Sequence, residues 1–278
     1  MPGEEAERTD LPLLWHIPFS HFNEKVRWAL DFKRIPHRRR CLGADYLFKV
    51  WRATGRGTLP VLFLDGEPVG DSTAIIAALE QRHPEPALYP RDPAQRRRAL
   101  ELEDYFDEGL GPSLRAAVVT PLFREDPDLA LRILTTGMPG AAYRNLRRIA
   151  PIFPAYYRIR HKISAQRLQQ DRADVADALD RISRELQPSG YLVGEAFSVA
   201  DLTAAALLSP VMQPAELQYP LEVALPDGLR QYRDELARHP AAQWTLEIYR
   251  RHRGSSAEVR RATTVAPAGE DSGDEAES

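Results

Sequence analysis

Thr58-Leu59-Pro60-Val61 constrains this chain more than any other stretch, because a proline stands at the head of an apolar run that otherwise reads as a strand. Proline has no N–H to give a sheet ladder and is tolerated only at a strand's edge or first residue. The backbone groups just ahead of it are then left to pair with something other than the sheet. Further on, Asp71-Ser72 opens an amphipathic helical segment. Exposed N–H groups and the positive end of the helix dipole collect at such a start. Together the two features describe a cradle for a small extended peptide carrying a carboxylate.

Around this cradle the pattern alternates. Leu11 to His16 is a short apolar run that reads as a buried strand, and Phe22 to Phe32 has helical apolar spacing at Phe22, Val26, Ala29, Leu30 and Phe32. Ile35 to Leu42 reads as a second strand and Tyr46 to Ala53 as a short helix ended by Gly55-Arg56-Gly57. Val61 to Leu64, the turn Asp65-Gly66 and Pro68-Val69 form a hairpin, since Asp-Gly is a strong two-residue turn signal. A helix from Asp71 to Arg82 closes a β-α-β-α-β-β-α unit. After Pro84 to Pro93 the character changes, and Ala94 to Arg253 reads as helices throughout. Breakers are expected at Gly109-Leu110-Gly111-Pro112, Gly137 to Gly140, Pro151, Pro154, Pro188 to Gly190, Pro210 to Pro226 and Pro240.

Composition narrows the class. With 278 residues, 43% hydrophobic and 28% charged, the chain is long enough for two globular domains. The net charge of −3 is uneven: between Gly254 and Ser278 six acids stand against Arg260 and Arg261, which leaves the remainder close to neutral. Nothing in that balance points to nucleic acid. The tail is rich in Gly, Ser, Ala and acid, has no aromatic residue, and reads as disordered. The single cysteine, Cys41, excludes an intramolecular disulfide and any multi-thiolate metal site, and reads as a packed thiol. Met1 to Asp10 is acidic with no secretory h-region, and apolar runs such as Ala74 to Leu79 are too short to span a bilayer, so the expected location is cytoplasmic.

Four stretches, in this order, resemble the glutathione S-transferase superfamily: Ser20-His21-Phe22-Asn23-Glu24-Lys25-Val26-Arg27-Trp28-Ala29-Leu30, Thr58-Leu59-Pro60-Val61-Leu62, Asp71-Ser72-Thr73-Ala74-Ile75-Ile76 and Phe197-Ser198-Val199-Ala200-Asp201-Leu202. The resemblance covers roughly residues 11–253, strongly in the first eighty and weakly between Pro112 and Gln187. It implies an α/β thioredoxin-like N-terminal domain with a mixed four-stranded sheet, followed by an all-α helical-bundle domain. The expected boundaries are a disordered N-terminus at 1–10, the glutathione-binding domain at 11–90, the helical domain at 91–253 and the disordered acidic tail at 254–278. It further implies glutathione, or another low-molecular-weight thiol, as co-substrate, a hydrophobic electrophile as its target, and a homodimer. No integral membrane segment and no metal belong to this picture.

The same resemblance assigns roles. Ser20, at the first turn of its helix, would contact the tripeptide's thiol. A hydroxyl donor and a helix N-terminus both favour the thiolate, which is the form that attacks. A cis Leu59-Pro60 bond would offer the Leu59 backbone to the cysteinyl backbone in a strand-like pairing. Asp71 would take the γ-glutamyl ammonium, and the Ser72 hydroxyl with the helix N–H groups its carboxylate. His21 would flank the site. The family often carries a longer polar residue where this chain has Thr58, so the glycyl contact is open, with Arg56 as a substitute. Taken alone, Ser20 and Asp71-Ser72 read equally well as helix caps, and Ser198 to Asp201 as a structural capping box.

The segment 116–187 is longer than a typical helical core needs. It interleaves Arg144, Arg147, Arg148, Arg158, Arg160, His161, Lys162 and Arg167 with Ile152, Phe153, Tyr156 and Tyr157. A solvated basic face with an aromatic inner face is the plain reading of that pattern. The rival function is therefore a non-catalytic member of the same fold that binds a bulky planar or anionic ligand or a protein partner.

Overall fold

The computed structural model describes residues 11–43, 45–138, 144, 148 and 165–259. Four short strands, β1 (Leu13–His16), β2 (Arg38–Cys41), β3 (Val61–Leu64) and β4 (Glu67–Gly70), form one mixed sheet in the order β2-β1-β3-β4. β1 and β2 run parallel, as a strand–helix–strand crossover requires, while β3 is antiparallel to both β1 and β4. The crossover is α1 (His21–Phe32); α2 (Tyr46–Thr54) leads into β3, and α3 (Ser72–Arg82) follows β4. Asp65 and Gly66 both have positive φ, 54° and 85°, the pair of left-handed residues that a two-residue hairpin turn demands. The sheet is thus the thioredoxin-like arrangement expected, and helices alone follow it among the described residues.

The helical part comprises α4 (Pro93–Tyr105), a π-turn (Phe106–Leu110), α5 (Gly111–Glu125), α6 (Pro127–Thr135), α7 (Ala165–Glu185), α8 (Val199–Met212), α9 (Asp227–Leu236) and α10 (Pro240–His252). One expected breaker does not break, and the one expected at Pro210 to Pro226 takes hold only after Met212. The chain remains helical through Gly109-Leu110-Gly111-Pro112, because the π-turn takes up the extra residue and Pro112 falls in the first turn of α5, where its missing N–H is not needed. Pro210 likewise sits inside α8, whose face-to-face burial on neighbouring helices outweighs one lost backbone bond.

α1 joins the two parts. Its apolar spacing suggested one buried face, yet ten of its twelve residues are buried, Asn23, Glu24, Lys25 and Arg27 among them. It lies between the sheet and the helical domain, so its polar face is enclosed too and every charge on it needs a partner. Trp28 is fully buried, stacks on Phe197 and Tyr249, and donates its indole N–H to the His252 carbonyl at 3.0 Å. At Gly111, an added Cβ would enter the ring of Phe22, so only glycine allows α5 to approach α1 this closely.

A further departure lies after α10. Residues 254–259 do not leave the body as a detached tail. Glu258 bridges His37 in parallel register beside β2, the Val259 N–H donates to the His37 carbonyl at 2.8 Å, and the Ala257 N–H donates to Asp31 Oδ1 at 2.8 Å. The expected N-terminal segment 1–10, most of the acidic tail, and the aromatic part of the 116–187 segment lie outside the described residues; of its basic residues, Arg144 and Arg148 are exposed.

Candidate active site

Ser20 is the N-cap of α1, with extended backbone at φ −83° and ψ 124°. Its carbonyl accepts the Glu24 N–H at 2.8 Å, as an N-cap carbonyl should, but its hydroxyl makes no capping bond. The hydroxyl therefore remains available at the positive end of the helix, which is what contact with an anionic sulfur requires. Behind it lies a small cavity of about 20 Å³, room for one water, lined by Ser20, Glu24, Arg27, Gln213 and Tyr219 among others.

Behind Ser20 lies a network of arginines and carboxylates. Arg27 donates to Glu24 at 2.9 and 3.0 Å and to the carbonyls of Ile17 and Pro18, and its guanidinium lies 4.9 Å from the centre of the Tyr219 ring. Arg253 donates to Glu24 at 2.6 Å and to Asp31 at 3.0 Å, and Arg39 donates to Asp31 at 3.0 and 3.1 Å. Three arginines thus face three carboxylates in one cluster, Glu24, Asp31 and Glu258, the last 3.9 Å from Arg39 Nη1. Burial alone would raise the Glu24 and Asp31 carboxyls, yet the arginines beside them hold both below the usual carboxylate range. Of the three arginines, Arg27 lines the small cavity behind Ser20.

Two histidines near this point are not bases at neutral pH. Burial and the Arg27 charge push His16 down to about 2. Burial pushes His21 down to about 3; its ring stacks on Phe22, and Nε2 lies 3.1 Å from the Gly111 carbonyl. His21 is buried one residue past Ser20, in the seam between the sheet domain and α5. Cys41 Sγ is 3.5 Å from His16 Nε2, and burial pushes its thiol up, away from thiolate character. Gly137, just past α6, closes over this corner: a Cβ there would come within 3.3 Å of Pro18 Cγ.

At the other end, the Leu59-Pro60 bond is cis. The ladder begins one residue later, at Val61 paired with Trp15 and Gly70, so Leu59 stands outside it. Asp71 caps α3, its Oδ1 accepting the N–H groups of Thr73 at 3.0 Å and Ala74 at 3.4 Å. It does so at φ 79° and ψ 132°, a conformation rare and costly for a residue with a Cβ, of the kind that persists where function fixes the backbone. The exposed Arg56 lies beside this cap, its Nη1 3.8 Å from Asp71 Oδ2. Ser72 is buried in the first turn of α3. Ser20 and the Asp71-Ser72 turn thus belong to one face of the sheet domain at the N-terminal ends of α1 and α3. Reading the sequence missed Arg27 and Tyr219; Arg27 stands within the Ser20 motif, but its partners come from elements far along the chain.

This architecture defines a protein with a thioredoxin-like N-terminal domain followed by a helical C-terminal region. The family model "Glutathione S-transferase, N-terminal domain" matches residues 14–87, and "Glutathione S-transferase, C-terminal domain" matches residues 165–235. The chain belongs to the glutathione S-transferase superfamily. It is 30% identical over 115 residues to probable maleylacetoacetate isomerase 1 of Drosophila melanogaster, a match that spans 39% of this chain and only 47% of that protein, about half its length. It is 25% identical over 217 residues to FtsZ-localized protein A of Caulobacter vibrioides, across 74% of this chain and 78% of that one. A glutathione S-transferase of Methylobacillus flagellatus, solved with glutathione bound, superposes with a TM-score of 0.53 at 20% identity, over 84% of this chain and 98% of the other, and shares its fold.

Proposed function

We propose that this protein is a glutathione S-transferase-like enzyme in which Ser20 stabilises the thiolate of glutathione for attack on a hydrophobic electrophile. The observation that carries the reading is the free Ser20 hydroxyl at the start of α1, beside a small cavity that Arg27 also lines. A hydrogen bond to a charged sulfur is worth about 1.5–3 kcal/mol, and the helix end adds about 0.3–1 kcal/mol. Together they lower a thiol from its usual value above 8 by roughly one to three pH units. In the bound tripeptide, the Leu59 backbone pairs with the cysteinyl backbone. Asp71 meets the γ-glutamyl ammonium, and Ser72 with the first-turn N–H groups of α3 meets its carboxylate. Glutathione, or a related small thiol, is the co-substrate, and the protein works as a cytoplasmic homodimer.

The test is turnover with generic aromatic and epoxide electrophiles, with thiolate absorbance followed in the enzyme–glutathione complex. Ser20→Ala should lower kcat/KM about 10- to 100-fold, equal to roughly 1.4–2.8 kcal/mol of lost transition-state stabilisation, and should diminish the thiolate band. A wild type that neither binds nor ionises glutathione would set this reading aside.

A second reading, a binding protein on the same fold, draws on two observations. The match to FtsZ-localized protein A runs across three-quarters of the chain. In addition, α2 exposes three large apolar side chains together, Leu47, Phe48 and Trp51, at 45%, 66% and 61%. Retained ligand or partner binding without turnover, unchanged in Ser20→Ala, would select it.

A further inference from the structure

A fully buried lysine sits at the junction of four elements. Lys25, in the middle of α1, places its Nζ 2.5 Å from Asp107 Oδ2 in the π-turn, 2.8 Å from Glu103 Oε1 in α4 and 3.2 Å from Thr73 Oγ1 in α3. The Thr73 hydroxyl in turn donates to the same Asp107 oxygen at 2.6 Å. Burial pushes the Glu103 carboxyl up against the pull of Lys25, and Asp107 is the carboxylate nearest the ammonium. A charge this deep persists only with its hydrogen bonds met, and removing one partner is costly.

The position of this cluster gives it a role. Thr73 is the second residue of α3, directly after Ser72, and its side chain is fixed by one donor and one acceptor that belong to other elements. Asp107 reaches it because the π-turn, with its wider winding, interrupts α4 and α5 at this point. Lys25 is five residues along the helix whose first turn carries Ser20. Both ends of the tripeptide cradle, the thiol end on α1 and the γ-glutamyl end on α3, are therefore tied to one ammonium and to one carboxylate from the helical domain.

We infer that Lys25, Thr73 and Asp107 are positioning residues that set the first turn of α3 for the γ-glutamyl group, so that the π-turn of the helical domain governs affinity for the thiol substrate without touching it. The inference rests on the glutathione reading above. Its physical content is angular. A first-turn N–H or hydroxyl that drifts by about 1 Å loses much of a charge-assisted hydrogen bond, and none of the three residues need contact the ligand for this to happen.

The experiment is calorimetric titration of the full chain with glutathione, with thermal melts alongside, for wild type, Thr73→Val, Thr73→Ser and Asp107→Asn. Thr73→Val keeps the shape and removes the hydroxyl; its Kd for glutathione should weaken about tenfold while the folded protein keeps its native circular dichroism. Thr73→Ser restores the hydroxyl and should lie within about twofold of wild type. A role confined to stability would move the melting temperature and leave Kd alone. Thr73→Val with a lower melting temperature and a wild-type Kd overturns the inference and leaves the glutathione reading standing. A wild type that shows neither heat nor thermal shift removes both. Should Asp107→Asn fail to fold, the two Thr73 variants decide.

Discussion

At Asp201 one carboxylate accepts the Leu192 N–H at 2.7 Å, the Ser198 N–H at 2.9 Å and the Ser198 hydroxyl at 2.8 Å. Burial raises its pKa from 3.8 to about 6. Because the folded value lies above the unfolded one, the stability that this group contributes is complete below about 3.8 and is lost as pH rises through about 6. Asp201→Ala leaves three donors without their acceptor and should cost about 2–4 kcal/mol in urea denaturation; the variant should also lose this part of the pH dependence. The box was legible in the sequence because Ser198 and Asp201 are three apart and the signal is local. The buried charges of α1 were not. Glu24, Lys25, Arg27 and Asp31 occupy positions that a helical period assigns to a solvated face, and their partners Asp107 and Arg253 lie far along the chain. Nor was the partner of His21 legible, since a backbone carbonyl in α5 has no signature in sequence.

Among the elements, the hairpin and α3 were readable to within a residue because Asp65-Gly66, Pro60 and Asp71 each fix a backbone angle or a donor locally. The π-turn was not, since glycines and a proline read as a break until a neighbouring helix holds them in register. Close approach at that turn is testable. Gly111→Ala forces a methyl against Phe22 and should destabilise by about 1–3 kcal/mol, seen as a lower melting temperature, whereas Gly109→Ala, where a Cβ meets nothing, should not destabilise. The residues after α10 depend on a carboxylate. Asp31 accepts the Ala257 N–H and pairs with Arg39 and Arg253, which hold its pKa below the ordinary value of 3.8. Its contribution is therefore present above that value and is lost as pH falls below it. Hydrogen exchange at Ala257 and Val259 should report this: protection at neutral pH, less in Asp31→Asn, with the rest of the sheet keeping its protection.

For the molecule as a whole, α1 belongs to both domains at once. Its burial between sheet and helices, with Trp28 set against Phe197 and Tyr249 and its charges paired with partners from the helical part, ties the two parts together. A single calorimetric transition is expected, with equal van't Hoff and calorimetric enthalpies, and Trp28→Ala should shift it by about 3–5 kcal/mol without splitting it in two. β2 is an outer strand of the sheet, and strands in that place offer unpaired amide and carbonyl groups to any other extended chain. The bridge between His37 and Glu258 shields the entrance to that rim. Expression of a form ending at Arg253 would leave the rim bare, and such a protein should scatter light and sediment as oligomers under conditions where the longer chain stays dispersed.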